Sequence, residues 1–195
     1  MSKLFFDFEF TGLKQNTTPI SLGIVSDNGR SFYAEFTDFS HKQIESEDDN
    51  GEFIKENVLK NLVLEKIGFK NDQYEAYNLY NKPWSMKVYG DKRFVAEKLQ
   101  MWLSSFDDQI ELWGDCLAYD WVLFCDLFGH AFNIPSNVYY IPFDICTLFK
   151  AKGIDPDINR EQFTKYMIAE DTANKHNSLY DAAVIKCCYK KLTEL

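Results

Sequence analysis

The stretch FFDFEF, residues 5–10, sets two requirements that few folds can meet together. Its four phenylalanines are typical of a buried β-strand, whereas Asp7 and Glu9 are costly to bury without partners. Side chains at positions i and i+2 of a strand point to the same face, so both carboxylates emerge together on one side of a hydrophobic sheet. The fold therefore has to offset two adjacent negative charges, unless this strand lies at a sheet edge with a solvated face.

The composition describes a globular chain without a surface that coats nucleic acid. Its 195 residues, 46% hydrophobic and 26% charged, suit one domain, residues 1–195, with a proper core. The net charge of −9 argues against a basic coating face, but not against a nuclease whose acids are neutralised by metal ions. The five cysteines include no C-x-x-C pair and favour reduced thiols, and no signal peptide or bilayer-length apolar run is visible. We therefore expect a cytoplasmic protein with no membrane partner.

The order of strand-like and helical segments predicts the fold class. Three strand-like runs within residues 3–36 follow one another closely and predict an antiparallel meander. Helical and strand-like segments then alternate, and the last is a helix over residues 178–192. Residues 40–90 include a stretch rich in Tyr and Asn without a clear period, and we expect an insertion there. The chain is therefore predicted to be an α/β protein with a mixed sheet flanked by helices.

Two further acids and one histidine extend the acidic pattern. Asp120 begins a predicted helix, where a carboxylate also complements the helix dipole without any catalytic role. Asp181 faces inward on the apolar last helix, and a buried Asp is uncommon unless it is paired or bound to metal. His176 precedes that helix on a loop, where it is either an ordinary exposed histidine or a neighbour of Asp181.

Taken together, these residues fit one mechanism of phosphodiester hydrolysis. Four carboxylates, from Asp7, Glu9, Asp120 and Asp181, can hold two Mg²⁺ or Mn²⁺ ions roughly 3.5–4 Å apart. A nearby neutral histidine such as His176 can accept the proton of the attacking water near pH 7. Metal cations would then offset the paired charge on the first strand.

The same residues, in the same order, resemble the DEDD-type 3′→5′ exonucleases that use a histidine base. DFEFTGL is similar to their first motif, GDCLAYD to the second, and HNSLYD to the H-x₄-D of the third. Within that group the likeness is to ribonuclease AS and the oligoribonuclease-type exoribonucleases, as in ISLGIVSDNGRSFYAEFTDF and IELWGDCLAYDWVLFCDLFG. The resemblance implies an RNase H-like fold with a five-stranded mixed sheet, two Mg²⁺ (or Mn²⁺) ions and a homodimer.

Carried over by position, the resemblance assigns a role to each acid. Asp7 would bridge both metals, Glu9 and Asp181 would hold the ion on the side of the nucleophile, and Asp120 would assist the second ion. His176 would be the general base.

The resemblance also predicts where the substrate binds. Thr11, Gly12 and Leu13 would contact the terminal nucleotide, and Trp121 would stack on a base, although helix packing explains Trp121 equally well. The family often has Asn where Asp115 stands, so the usual polar role of that position is in question.

Three functions remain open from the sequence. The leading one is a 3′→5′ exoribonuclease that degrades single-stranded RNA from its 3′ end to nucleoside 5′-monophosphates. The second keeps this chemistry but acts on single-stranded DNA, because metal-binding and phosphate-binding motifs do not distinguish the two. The third is a non-catalytic RNase H-like binding module, which the intact set of four acids and His176 disfavours.

Overall fold

The computed structural model describes residues 1–45, 49–165 and 175–195. Within them, seven strands form one mixed sheet. They are β1 (Ser2–Phe10), β2 (Pro19–Ser26), β3 (Ser31–Phe36), β4 (Gln73–Leu79), β5 (Lys82–Gly90), β6 (Ile110–Gly114) and β7 (Phe143–Asp144). Their spatial order is β4-β5-β3-β2-β1-β6-β7, and the β1–β2, β2–β3 and β4–β5 pairs are antiparallel. The predicted α/β class and the opening meander are confirmed.

The predicted count of five strands is wrong, because β4 and β5 add a hairpin to the edge of the sheet. Both strands lie inside residues 40–90, and β5 pairs in parallel with β3. The side chains of β4 are mostly exposed, so the strand lacks the apolar alternation that reveals a half-buried strand. Its turn is Tyr80–Asn81, both at positive φ, a geometry that Asn-Gly usually signals. The sequence therefore carried neither of the usual signs of a hairpin.

Helices cover both faces of this sheet. They are α1 (His41–Ile44), α2 (Asp49–Phe53), α3 (Lys92–Leu103), α4 (Asp120–Leu127), α5 (Ile145–Ala151), α6 (Arg160–Phe163) and α7 (Ser178–Glu194). A π-helical turn over Ile54–Val58 and a 3₁₀ turn over Leu59–Asn61 continue α2. None of the helices in the described ranges has both the length and the apolar character needed to cross a bilayer.

Strand β1 divides its side chains between two hydrophobic clusters. Leu4, Phe6 and Phe8 belong to the larger cluster, which is completed by α3 and α4. Phe5 belongs to the other, which contains apolar residues of α5, α6 and α7. Because the side chains alternate, Asp7 and Glu9 share the face of Phe5 and point toward the start of α7. The predicted common face of the two acids is thus confirmed.

The segment that follows β3 closes over the same region. Ile44, Ile54 and Val58 pack with Ile20 of β2 in a small cluster of their own. Buried Glu35 of β3 accepts hydrogen bonds from the backbone amides of Val63 and Leu64. Part of the predicted insertion, residues 46–48, lies outside the described residues.

Candidate active site

The candidate site begins at the end of β1, where Asp7 and Glu9 stand side by side. In the β1–β2 ladder, Asp7 lies opposite Gly23 and Glu9 opposite Ser21. β6 pairs with β1 only as far as Phe5, so β1 extends past its parallel neighbour. Both carboxylates therefore line a cleft instead of the closed interior of the sheet.

Helix α4 brings Asp120 to this end of β1. The carboxylate Oδ1 of Asp120 accepts a hydrogen bond of 2.8 Å from the backbone amide of Phe8, the residue between the two acids of β1. Phe8 lies beyond the last residue of β1 that pairs with β6, so this bond gives its backbone amide a partner. Asp120 is also the first residue of its helix, so the helix-dipole role and a role in the site are compatible.

Helix α7 brings Asp181 to the opposite side of the cleft. The side chain of Asn177 caps the helix by accepting hydrogen bonds from the amides of Leu179 and Tyr180. Asp181 lies in the first turn, and its Oδ2 accepts a hydrogen bond of 3.0 Å from the backbone amide of His176. The carboxylate thus fixes the loop that carries the histidine.

Gly23 makes this approach of α7 possible. A Cβ atom at Gly23 would lie 2.3 Å from the backbone of Ser178 and Leu179, so the helix can only start this close to β2 because position 23 has no side chain. A buried hydrogen bond of 2.9 Å between the hydroxyls of Ser21 and Ser178 joins the same two elements. Sequence reasoning missed Gly23, since a glycine inside a strand does not reveal which element approaches it.

His176 completes the cluster. Its Nδ1 lies 3.9 Å from Oε1 of Glu9. One potential ligand atom from each of Glu9, His176 and Asp181 lies within 4.8 Å of the others. The arrangement brings an imidazole next to the carboxylates, which is the geometry that a proton acceptor for metal-associated water requires.

The electrostatics of the site reflect crowding of like charges in a partly buried cleft. Burial and then the neighbouring acids raise the pKa of Asp7 well above its usual range. The same causes raise the pKa of Glu9 to about 8, and burial raises that of Asp181 to about 7 and that of Asp120 to about 6. Burial, together with Lys175, lowers the pKa of His176. Burial therefore disfavours the charged forms of both the acids and the histidine.

The cleft has a volume of about 440 Å³ and gathers most of the sequence-predicted residues. Those at its lining are Asp7, Glu9, Leu13, Asp120, His176 and Asp181. Leu13 is 70% exposed at the mouth of the cleft. Thr11 is buried, with its hydroxyl accepting a hydrogen bond from the amide of Thr18. Trp121 stacks on Phe124 at the edge of the larger core cluster, so its position matches the helix-packing alternative.

An ion pair at the rim of the cleft was missed from the sequence. Nε of Arg160 lies 2.7 Å from Oδ2 of Asp115, and the guanidinium also bonds Oδ1 at 3.0 Å. The thiol of Cys146 donates to the same carboxylate at 3.0 Å. Asp115 is thus paired with a cation, which gives a physical role to the residue that departs from the family pattern. No spacing in the sequence connects positions 115 and 160.

Comparison with known proteins finds related sequences and more distantly similar structures. The chain matches no protein-family model. It is 24% identical over 152 residues to a 3′-5′ exoribonuclease of Mycobacterium tuberculosis, in strains CDC 1551 and H37Rv, and the match covers 77% of this chain and 76% of each relative. The resemblance to DEDD-type 3′→5′ exonucleases is confirmed. The particular subgroup stays a prediction.

The structural similarity is more distant. The catalytic unit of Neurospora crassa Pan2, a protease and nuclease domain, aligns with a TM-score of 0.48 and 18% identity. The alignment covers 99% of this chain but 27% of that protein's chain. A likeness at this level supports no functional conclusion.

Proposed function

We propose that this protein is a metal-dependent 3′→5′ exoribonuclease, which hydrolyses single-stranded RNA from its 3′ end and releases nucleoside 5′-monophosphates. The observation that carries the proposal is the convergence of Asp7, Glu9, Asp120, Asp181 and His176 in one cleft. Three separate elements supply these side chains, and a folded protein gains nothing in stability from crowding four acids together. The relatives named 3′-5′ exoribonucleases support the same reaction.

The donor set fits divalent cations. Carboxylate oxygens are the ligands that Mg²⁺ and Mn²⁺ prefer, and the raised pKa values of these carboxyls show that their anionic forms lack a counter-charge. Asp7, Glu9 and Asp181 would hold one ion, and Asp7 and Asp120 a second. When bound, such ions lower the pKa of water and stabilise negative charge on the attacking and leaving oxygens.

The residues of the chain supply the rest of the chemistry. Burial and Lys175 favour the neutral form of His176, which accepts the proton of the water whose oxygen attacks the terminal phosphorus. The bond between phosphorus and the 3′-oxygen of the shortened chain then breaks, and that oxygen takes up a proton. Leu13 is exposed and lines the cleft, which supports its proposed apolar contact with the terminal base.

The proposal includes finer features that rest on the resemblance. These are a count of two Mg²⁺ or Mn²⁺ ions, a single exonuclease domain over residues 1–195, a cytoplasmic location and a homodimer. Light scattering with and without Mg²⁺ measures the oligomeric state directly, and calorimetric titration of the metal-free protein measures the number of ions bound.

The decisive experiment compares matched oligonucleotides. RNA and DNA of one sequence, labelled at the 5′ end, are incubated with Mg²⁺, Mn²⁺ or EDTA, and the products are resolved by length. We expect a ladder of RNA shortened one nucleotide at a time, no reaction in EDTA, and no reaction on RNA with a 3′-phosphate.

Other outcomes of this experiment contradict specific parts of the proposal. Faster degradation of DNA would favour the single-stranded DNA exonuclease, and internal cleavage of the RNA that carries a 3′-phosphate would indicate an endonuclease. Full activity in EDTA would refute the metal-dependent mechanism. Binding without any cleavage would favour the non-catalytic module.

A further inference from the structure

The residues on both sides of His176 are hydrogen-bonded to a single residue of a distant segment. The carboxamide Nδ2 of Asn61 donates to the backbone carbonyl of Lys175 at 2.6 Å. In return, Nδ2 of Asn177 donates to the backbone carbonyl of Asn61 at 3.2 Å. Asn61, at the end of the 3₁₀ turn, therefore holds the loop immediately before and immediately after the histidine.

The backbone of His176 requires such support. Its φ is +65°, in the left-handed region of backbone conformation that residues other than glycine seldom adopt. Residues in this region persist only where their surroundings fix them, and they concentrate at functional sites. The backbone amide of His176 donates to the carboxylate of Asp181. Asn61 bonds the carbonyl of Lys175 and the side chain of Asn177 on either side of it.

The imidazole itself is flanked by the same segment. The ring of Phe53 meets the ring of His176 edge-to-face, with centroids 5.0 Å apart and planes at 82°. Glu9 lies near the other part of the ring, with 3.9 Å between Oε1 and Nδ1. The imidazole thus has one aromatic and one acidic neighbour.

The segment around Asn61 is anchored to the sheet. Nδ2 of Asn61 also donates its second hydrogen to the backbone carbonyl of Asn57 at 2.7 Å, so the carboxamide of Asn61 cannot turn freely. Two residues further on, the amide of Val63 bonds the buried carboxylate of Glu35 at 2.6 Å. The hydroxyl of Tyr33 donates to the same carboxylate and accepts from Asn177. The loop and the segment are therefore tied to β3 by one continuous set of hydrogen bonds.

From these contacts we infer that Asn61 is a positioning residue for His176, which fixes the imidazole over the acidic cluster in the geometry for proton transfer. The inference rests on the proposed exonuclease function, since it assigns Asn61 to the same site. It also gives a role to a segment, residues 53–64, for which the sequence offered none.

The test is a pair of matched variants. Asn61→Asp keeps the size of the side chain but replaces the donor with a carboxylate that the carbonyls of residues 57 and 175 repel. Asn78→Asp makes the same exchange and adds the same charge at an exposed position of β4, outside this set of hydrogen bonds. We expect Asn61→Asp to lower kcat by roughly 10- to 100-fold with KM nearly unchanged, because a misplaced catalytic group loses about that much. Asn78→Asp should retain wild-type kcat.

A second readout does not depend on activity. The chain has three histidines, so selective ¹³C labelling gives three Cε1–H signals, and His176→Ala assigns one of them. Asn61→Asp should shift or broaden the His176 signal, and Asn78→Asp should leave it in place. An unmoved signal in Asn61→Asp, or equal kcat in the two variants, would overturn the inference.

A double variant shows whether Asn61 acts through His176. In a His176→Ala background, Asn61→Asp should change the residual kcat by less than about twofold, because residues that act as one unit are not additive. A full additional loss would mean that Asn61 acts elsewhere, and the inference would be wrong. An inactive wild-type protein would instead contradict the proposed function, while the histidine signals would still decide whether Asn61 positions the loop.

Discussion

Replacing Glu9 with Gln should make the metal-free protein more stable while it abolishes activity. The pKa of Glu9 is about 8 in the fold, mainly because of burial, against 4.5 for an ordinary glutamate. A carboxyl whose pKa is raised on folding stabilises the fold least at high pH, because the unfolded chain ionises first as the pH rises from 4.5 toward 8. Gln imitates the protonated carboxyl and removes this advantage of the unfolded chain.

The size of the effect follows from the same two pKa values. At pH 7 the unfolded carboxyl is ionised and the folded one is not, and each pH unit above 4.5 is worth about 1.4 kcal/mol. Glu9→Gln should therefore raise the free energy of unfolding by up to about 3 kcal/mol at pH 7, which corresponds to roughly 6–12 °C in Tm for a chain of this length. At pH 5 the gain should shrink below about 1 kcal/mol.

Urea unfolding in EDTA at pH 5 and pH 7 measures both values. The control is Glu97→Gln on the exposed face of α3, where we expect a change of at most about 0.5 kcal/mol. Added Mg²⁺ should stabilise wild type more than Glu9→Gln, because it binds the ionised carboxylates. The reasoning is refuted if Glu9→Gln is less stable than wild type at pH 7 in EDTA, or if its gain is the same at both pH values.

Three other substitutions separate the roles in the site. His176→Ala should lower kcat by roughly 10²–10⁴ while Mg²⁺ still raises Tm, because all four carboxylates remain; wild-type turnover in this variant would make the histidine a bystander. Asp7→Asn should lose both activity and the Mg²⁺-dependent rise in Tm, and an unchanged rise would show that Asp7 is not a ligand. Gly23→Ala should destabilise the fold by about 1–3 kcal/mol in urea unfolding and lower kcat, because the added Cβ displaces the start of α7. An unchanged stability would contradict the close approach of α7 to β2.

The common face of Asp7 and Glu9 could be predicted from the sequence because it depends only on local geometry. Alternation along a strand requires no knowledge of the partner elements, and the same holds for the apolar positions of the last helix. The gathering of Asp120 and Asp181 at that face was predicted from the order of the motifs, which resembles a known family. Local pattern and resemblance together therefore predicted the α/β class and four of the acids that line the cleft, which are Asp7, Glu9, Asp120 and Asp181.

The contacts that support the site could not be predicted in this way. Asn61 and Lys175 are 114 positions apart, and the structure gives Asn61 its role through backbone carbonyls, whose positions leave no sequence signature. The ion pair between Asp115 and Arg160 was equally unpredictable, since many other acidic and basic residues of the chain could have paired with either one. Trp121 shows the opposite difficulty, because its residue type suggested stacking on a base whereas its neighbours in space include Phe124.

Backbone amides from β1 and from the loop before α7 help to accommodate two of the acids in the site. Asp120 and Asp181 both lie in the first turn of a helix. Asp120 accepts a hydrogen bond from the backbone amide of Phe8, and Asp181 accepts one from that of His176. Those amides lower the pKa of both carboxyls, against the larger effect of burial, whereas no such bond lowers the pKa of Glu9. The pKa is about 6 for Asp120 and about 7 for Asp181, which accept these bonds, and about 8 for Glu9. The helix-dipole interpretation of Asp120 is therefore not an alternative to a functional one, because its own amide at the helix start and the amide of Phe8 both lower the pKa of a carboxyl that also lines the cleft.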